Sequence, residues 1–136
     1  MEKQIINPWT WQDQLGYAQG VLVSSPQQTL YAAGQGSLDA EGNLVHEGDI
    51  AGQAGQTMDN VEAVLAEAGM SLADVVRYDI HATDLQHYFT AGGHEQVAKR
   101  FAEAGRGAFP AGGIATQVPA LAVPGMAVEI TVTACR

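Results

Sequence analysis

Positive charge is scarce in this sequence: six Lys and Arg residues stand against fifteen Asp and Glu, for a formal charge of −9. The basic residues Lys3, Arg77, Lys99, Arg100, Arg106 and Arg136 are dispersed apart from one adjacent pair. A phosphate backbone is gripped by clustered positive charge, so nucleic acid is not an expected partner. Charge of both signs is low too, at 15% of residues against roughly 25% in ordinary globular domains. A surface this poorly charged suits partial burial in an oligomer.

Other shortages narrow the field further. The single cysteine, Cys135, has no intrachain disulfide partner. No apolar run approaches the roughly 18 residues of a membrane helix, so no membrane partner is expected. Met1-Glu2-Lys3-Gln4 lacks the basic start and apolar core of a secretory leader, which makes the cytoplasm the expected location. His46, His81, His87 and His94 have no i, i+4 partner and no cysteine beside them, so no metal site is expected. Walker-type loops and Ser-centred elbows are absent, and Gly34-Gln35-Gly36 is too short for a dinucleotide fingerprint.

What is present is a strong hydrophobic pattern. With 136 residues and 46% hydrophobic content, the chain is expected to fold as one domain, 1–136, around one core. Ile50, Ala54, Met58, Val61, Leu65 and Ala68 recur at spacings of three and four, predicting a helix over 49–68 that Asp49 caps and Gly69 ends. Residues 75–83 alternate, with Val76, Tyr78, Ile80 and Ala82 on one face and Val75, Arg77, Asp79, His81 and Thr83 on the other. A shorter helix is predicted over about 94–104, where Val97, Phe101 and Ala104 share a side before Gly105. Residues 126–134 alternate most regularly, with Met126, Val128, Ile130, Val132 and Ala134 opposite Ala127, Glu129, Thr131, Thr133 and Cys135. Tyr17 to Val23 and Thr29 to Ala33 read as two strands of a hairpin looped at 24–28. The expected fold is therefore α+β: a mostly antiparallel sheet with two helices on one face. Its other face, polar but nearly uncharged, suits solvent or a subunit interface.

Chemistry-bearing candidates are few. Glu129 is a carboxylate in an apolar and threonine-lined strand, where it is costly to bury unless paired, hydrogen-bonded or protonated. It reads as an acid, a base or a binder of polarised water, with a structural ion pair as the competing reading. Tyr17 is a core ring or a hydroxyl that meets a ligand. Cys135 with His81 forms a conceivable nucleophile–base pair, against the commoner reading of a small packed cysteine. In "PAGGIATQV", residues 110–118, two adjacent glycines mark either a turn or a close approach of backbone or ligand.

Taken together, several segments resemble the Rid (YjgF) family of reactive-intermediate deaminases, also called L-PSP endoribonucleases. "GYAQG" at 16–20 is similar to the family's Gly-Pro-Tyr-Ser-Gln-Ala segment, and "AAGQGSLDAEGNLV" at 32–45 to its Ser-Gly-Gln turn. "NVEAVLAEAGMSLADVVRYDIHATDL" at 60–85 resembles its helix–strand signature, and "VPGMAVEITVTA" at 123–134 its closing strand with the Val-Glu-Ile motif. The resemblance implies a chorismate-mutase-like fold and a homotrimer with small-molecule clefts between subunits. It further implies cofactor-free hydrolysis of imine or enamine intermediates to the keto acid and ammonia by a bound water. Carried over, Tyr17 lines the cleft, Gly34 offers backbone contacts and Glu129 holds or polarises the water.

One element of the family pattern is missing. Deaminating members carry Pro-Ala-Arg-Ser/Thr, whose arginine grips a substrate carboxylate through two hydrogen bonds. Here the segment is Pro110-Ala111-Gly112-Gly113, and the family's cysteine position falls on Ile114. Loss of a charge-assisted bidentate contact removes about 2–4 kcal/mol of binding, so simple 2-imino acids are expected to be poor substrates. Gly112 and Gly113 are expected to widen the pocket, and Arg106 is the nearby candidate for a replacement cation. A non-catalytic binding trimer is the alternative reading; a ribonuclease, the older family label, is disfavoured by the acidic charge.

Overall fold

A computed structural model describes residues 1–105 and 111–136 of the chain. Its main sheet has five strands: β3 (Thr29–Tyr31), β4 (Gln35–Gly36), β5 (Val75–Ala82), β6 (Gly112–Gln117) and β7 (Val128–Cys135). β7 is central, antiparallel to β5 on one side and to β3 and β4 on the other, while β6 runs parallel to β5 at the edge. A separate two-stranded ribbon joins β1 (Glu2–Ile6) to β2 (Gly20–Ser24). Among the described residues three α-helices complete the mixed α+β architecture: α1 (Ile50–Glu67), α2 (Leu85–Thr90) and α3 (Gly93–Glu103). Among the described residues no helix is long and apolar enough to cross a membrane.

The strand periodicities place the core. Val128, Ile130 and Val132 of β7 and Tyr78, Ile80 and Ala82 of β5 are buried against Ala54, Met58, Val61 and Leu65 of α1 and Val97 and Phe101 of α3. Their alternate neighbours, Glu129, Thr131 and Thr133 on β7 and Asp79 and His81 on β5, lie on the opposite face and are partly exposed. Val75 is buried although it alternates with the apolar set, because the register shifts between Val75 and Arg77 and returns the strand's first residue to the core. Asp49 accepts from the Gly52 N–H at 2.9 Å, and Gly69 takes the left-handed conformation that ends α1. Arg100 of α3 pairs with Asp59 and Glu62 of α1, tying the two long helices together.

Two expectations are corrected. The runs at 17–23 and 29–33 do not form a hairpin: β2 pairs with β1, and β3 pairs with β7 instead. Tyr17 accordingly precedes the strand. A third helix, α2, follows Asp84, whose carboxylate accepts from the His87 N–H at 2.9 Å; at six residues it is too short to show helical periodicity. Of the two readings of the double glycine, the turn fails and the close approach of backbone holds: the pair opens β6, with Gly113 against the Tyr78 carbonyl.

Two side chains on α1 fix the loops around the sheet. The buried Gln53 amide donates to the Gly125 carbonyl at 3.0 Å and accepts from the Ala127 N–H at 2.8 Å, locking the entry to β7. Asn60 donates to the carbonyls of Gly36 and Leu38, at 2.8 and 2.9 Å, and so holds the segment around β4.

Gly113 sits directly against β5. A methyl group placed there would lie 1.6 Å from the Tyr78 carbonyl oxygen, whereas one at Gly112 would stand 3.5 Å from the Ala18 carbonyl oxygen, an ordinary contact. Backbone cannot swing aside as a side chain does, so Gly113→Ala is expected to cost about 1–3 kcal/mol and Gly112→Ala well under half of that. Urea unfolding of the two variants checks the order; equal stability would contradict the close approach.

Candidate functional site

Glu129 and Gly34 are in direct contact. Val128 and Ile130 anchor β7 in the core, so the residue between them projects from the face away from the helices. Its carboxylate then lies over Gly34, where an added methyl would come within 1.9 Å of Oε1. Gly34 is thus the absence of a side chain that leaves the carboxylate its place. The ladder puts Gly36 beside Glu129 on one flank and His81 on the other, with Thr116 of β6 beyond His81.

Tyr17, Gly113 and Ile114 gather elsewhere. They help line a cavity of about 570 Å³ whose other walls include Leu15, Tyr78, Ile80, Phe89 and His94. Tyr78 and Ile80 belong to the helix-facing side of β5, and the register carries Gly113 and Ala115 to that same side. The core reading of Tyr17 holds in part: its ring packs partly on the core, and the residue also bounds the cavity. An edge-on contact with Trp11, 6.3 Å between centroids, fixes its orientation. Glu129 and Gly34 are not part of this wall.

Gly112, which the resemblance sets at the family's arginine, is distant from Glu129 within one chain. It pairs with Arg77 and Glu129 with His81, so the two are four residues apart along the strands and two strands apart across them. At about 3.3 Å per residue and about 4.8 Å per strand, the separation is about 16 Å. Arg106 and Pro110 lie outside the described residues. The Cys135–His81 pair is excluded by register: Cys135 is buried opposite Thr29, its Sγ 3.7 Å from the Thr29 hydroxyl, six residues along β7 from the partner of His81. Among the described residues no group of three or more His, Cys, Asp or Glu is arranged to hold a metal.

Electrostatics distinguish the cavity from the sheet face. Burial pushes the Tyr78 and Tyr88 hydroxyls above the usual phenol range, which keeps both protonated. It holds the His94 imidazole below its ordinary value, and the Tyr88 hydroxyl lies 3.3 Å from His94 Nδ1. The cavity is thus aromatic and neutral along its described walls. Sequence reasoning missed Phe89 and His94 as cavity residues; the helix-capping Asp84, five residues before Phe89, was the readable signal.

The comparisons with known proteins fit this architecture. The family model for endoribonuclease L-PSP matches residues 12–136, and the chain belongs to that family, the Rid/YjgF family. A Rid-family protein of unknown function from Yersinia pestis, YyfB, is 34% identical and superposes with a TM-score of 0.80 over 100% of both chains. RidA from an Antarctic Psychrobacter is 33% identical, with a TM-score of 0.67 over 88% of each chain. The 2-iminobutanoate/2-iminopropanoate deaminase of Salmonella typhimurium is 32% identical over 74 residues, 54% of this chain and 55% of that protein. The chain spans about half the length of the curated relatives it matches.

The depressed His94 sets a pH dependence with a definite sign. Folding favours its neutral form, so below about pH 6.5 the unfolded chain binds the proton first and stability falls with pH. Thermal unfolding between about pH 7.5 and 5.5 is expected to show a declining Tm in the native protein and a smaller decline in His94→Gln. An identical decline in both would contradict this assignment.

Proposed function

We propose that the chain is one subunit of a homotrimer that binds small molecules in clefts between subunits and hydrolyses uncharged imines or enamines to carbonyl compounds and ammonia. The observation that carries the reading is the Glu129 carboxylate seated on the Gly34 backbone, on a sheet face left polar and partly exposed. A carboxylate so placed can take a proton from water as that water attacks an unsaturated carbon. The deaminase name of the Salmonella relative supports the reaction class. Gly112 in place of an arginine argues against simple 2-imino acids, because no permanently charged fork stands there to bind their carboxylate.

Two observations favour a cleft shared between subunits. Glu129 and the Gly112 position are too far apart in one chain for a single small ligand to bridge. The chain also exposes apolar side chains well suited to assembly: Trp9 and Trp11 are 57% and 58% exposed and stacked on each other, and Ile5, Ile6 and Leu22 lie uncovered on the β1–β2 ribbon. An isolated two-stranded ribbon is marginal in water and gains from a covering partner. The missing arginine favours a second reading, a binding trimer without turnover, which predicts a Tm raised by ligand with no product formed.

The test is ammonia release from uncharged aryl imines such as benzophenone imine and from enamines, alongside 2-iminobutanoate. The native protein is expected to accelerate one of the uncharged compounds and to act feebly on 2-iminobutanoate. Glu129→Gln is expected to lose about 10²–10⁴-fold in kcat with an unchanged Tm. Gly34→Ala displaces a flexible carboxylate rather than backbone, so it is expected to keep its stability while losing on the order of 10²-fold in rate. No turnover by the native protein, or full turnover by Glu129→Gln, contradicts the enzymatic reading.

A further inference from the structure

His81 stands out on the sheet face that carries Glu129. It is directly opposite Glu129 in the antiparallel β5–β7 ladder and opposite Thr116 in the parallel β5–β6 ladder. Residues so paired have Cβ atoms about 4.5–5.5 Å apart and side chains on the same face. Both side chains are partly exposed, and neither makes a hydrogen bond or ion pair with another described residue. The carboxylate leans onto Gly34, on the flank of β7 away from His81. Imidazole and carboxylate therefore border the same patch of sheet from two sides without bonding each other.

Charge around the pair is simple. On its own strand the nearest titratable neighbour sharing the face of His81 is Asp79, and that carboxylate is engaged by Arg77 Nε at 3.0 Å and the Ile114 N–H at 3.1 Å. Glu129 is the titratable group presented by β7, and β6 presents the uncharged Thr116. Asp79 is committed to holding the start of β6, which leaves Glu129 and His81 as the two uncommitted proton carriers on this row.

We propose that His81 is the proton-transfer partner of Glu129, the two acting as acid and base on an imine placed between them. The proposal rests on the hydrolytic reading above. Glu129 takes a proton from water as the water oxygen bonds to the imine carbon, and imidazolium His81 gives a proton to the nitrogen, so that the C=N double bond becomes single. His81 then takes the hydroxyl proton as the carbonyl forms; the C–N bond breaks and protonated Glu129 returns its proton to the departing nitrogen as ammonia. Imine and water become carbonyl compound and ammonia, and both side chains regain their starting forms. Divided roles on two groups explain how turnover persists without the family's arginine: binding charge is lost, but proton transfer is not.

The experiment measures kcat and KM against pH for the native protein, Glu129→Gln, His81→Gln and His81→Phe, each purified at full length and checked by Tm. The substrate is whichever of benzophenone imine and the companion imines and enamines the native protein turns over fastest. His81→Gln and His81→Phe are expected to lose about a hundredfold in kcat with KM changed less than about threefold, and to change the shape of the pH–kcat profile. Native turnover that Glu129→Gln abolishes but both His81 variants retain, with the pH profile intact, overturns the role of His81 and leaves the hydrolytic reading standing. Retention by His81→Phe alone assigns the position a packing role and also overturns it. Absence of native turnover overturns both.

Discussion

The two-residue period of β7 is the constraint on which the rest depends. Val128, Ile130 and Val132 are pinned beneath α1 and α3, and their burial leaves Glu129, Thr131 and Thr133 no choice but the other face. A slip of one residue would carry Glu129 into the core and expose the valines, so the hydrophobic term that stabilises the fold also aims the carboxylate. Neighbouring strands read the same register: it brings His81 beside Glu129 and the Gly34–Gly36 segment against its far side. Gln53 and Asn60 enforce that arrangement from α1, one at the entry to β7 and the other behind β4.

The glycines serve different physical ends. Gly34 vacates space for the end of a flexible acidic side chain, so its importance is to the position of the carboxylate. Gly113 vacates space for a neighbouring carbonyl, so its importance is to strand pairing. Gly112 meets neither demand and faces only an ordinary contact with the Ala18 carbonyl oxygen. The fold itself therefore does not require a glycine at this position.

Much of this was legible in the sequence, for identifiable reasons. The long helix and the strands at 75–82 and 128–135 announced themselves because each has one buried face with a period of its own. Glu129 was readable as an ionisable residue interrupting such a pattern, and Gly34 through its place in a familiar turn. Strand partners were not readable: residues 20–24 and 29–31 are adjacent in sequence, yet long-range pairing with β1 and β7 wins over the hairpin. Nor was the division of the predicted residues into a sheet face and a separate cavity, because the alternation of β6 became visible only once its parallel register with β5 was known. His81 was conspicuous as a histidine in a strand, and the packed reading of Cys135 holds, but only the register shows that the residue opposite His81 is Glu129.

A site shared between chains is the form the proposed function requires. One subunit holds the carboxylate and imidazole on an open sheet face and, about 16 Å away, Gly112. Ile5, Ile6 and Leu22 of the ribbon and Trp9 and Trp11 between its strands are exposed apolar side chains of the kind that subunit contacts cover. Light scattering of the purified protein is the decisive measurement: a shared cleft requires a mass three times that of the 14.3 kDa chain, and a mass equal to one chain rules it out.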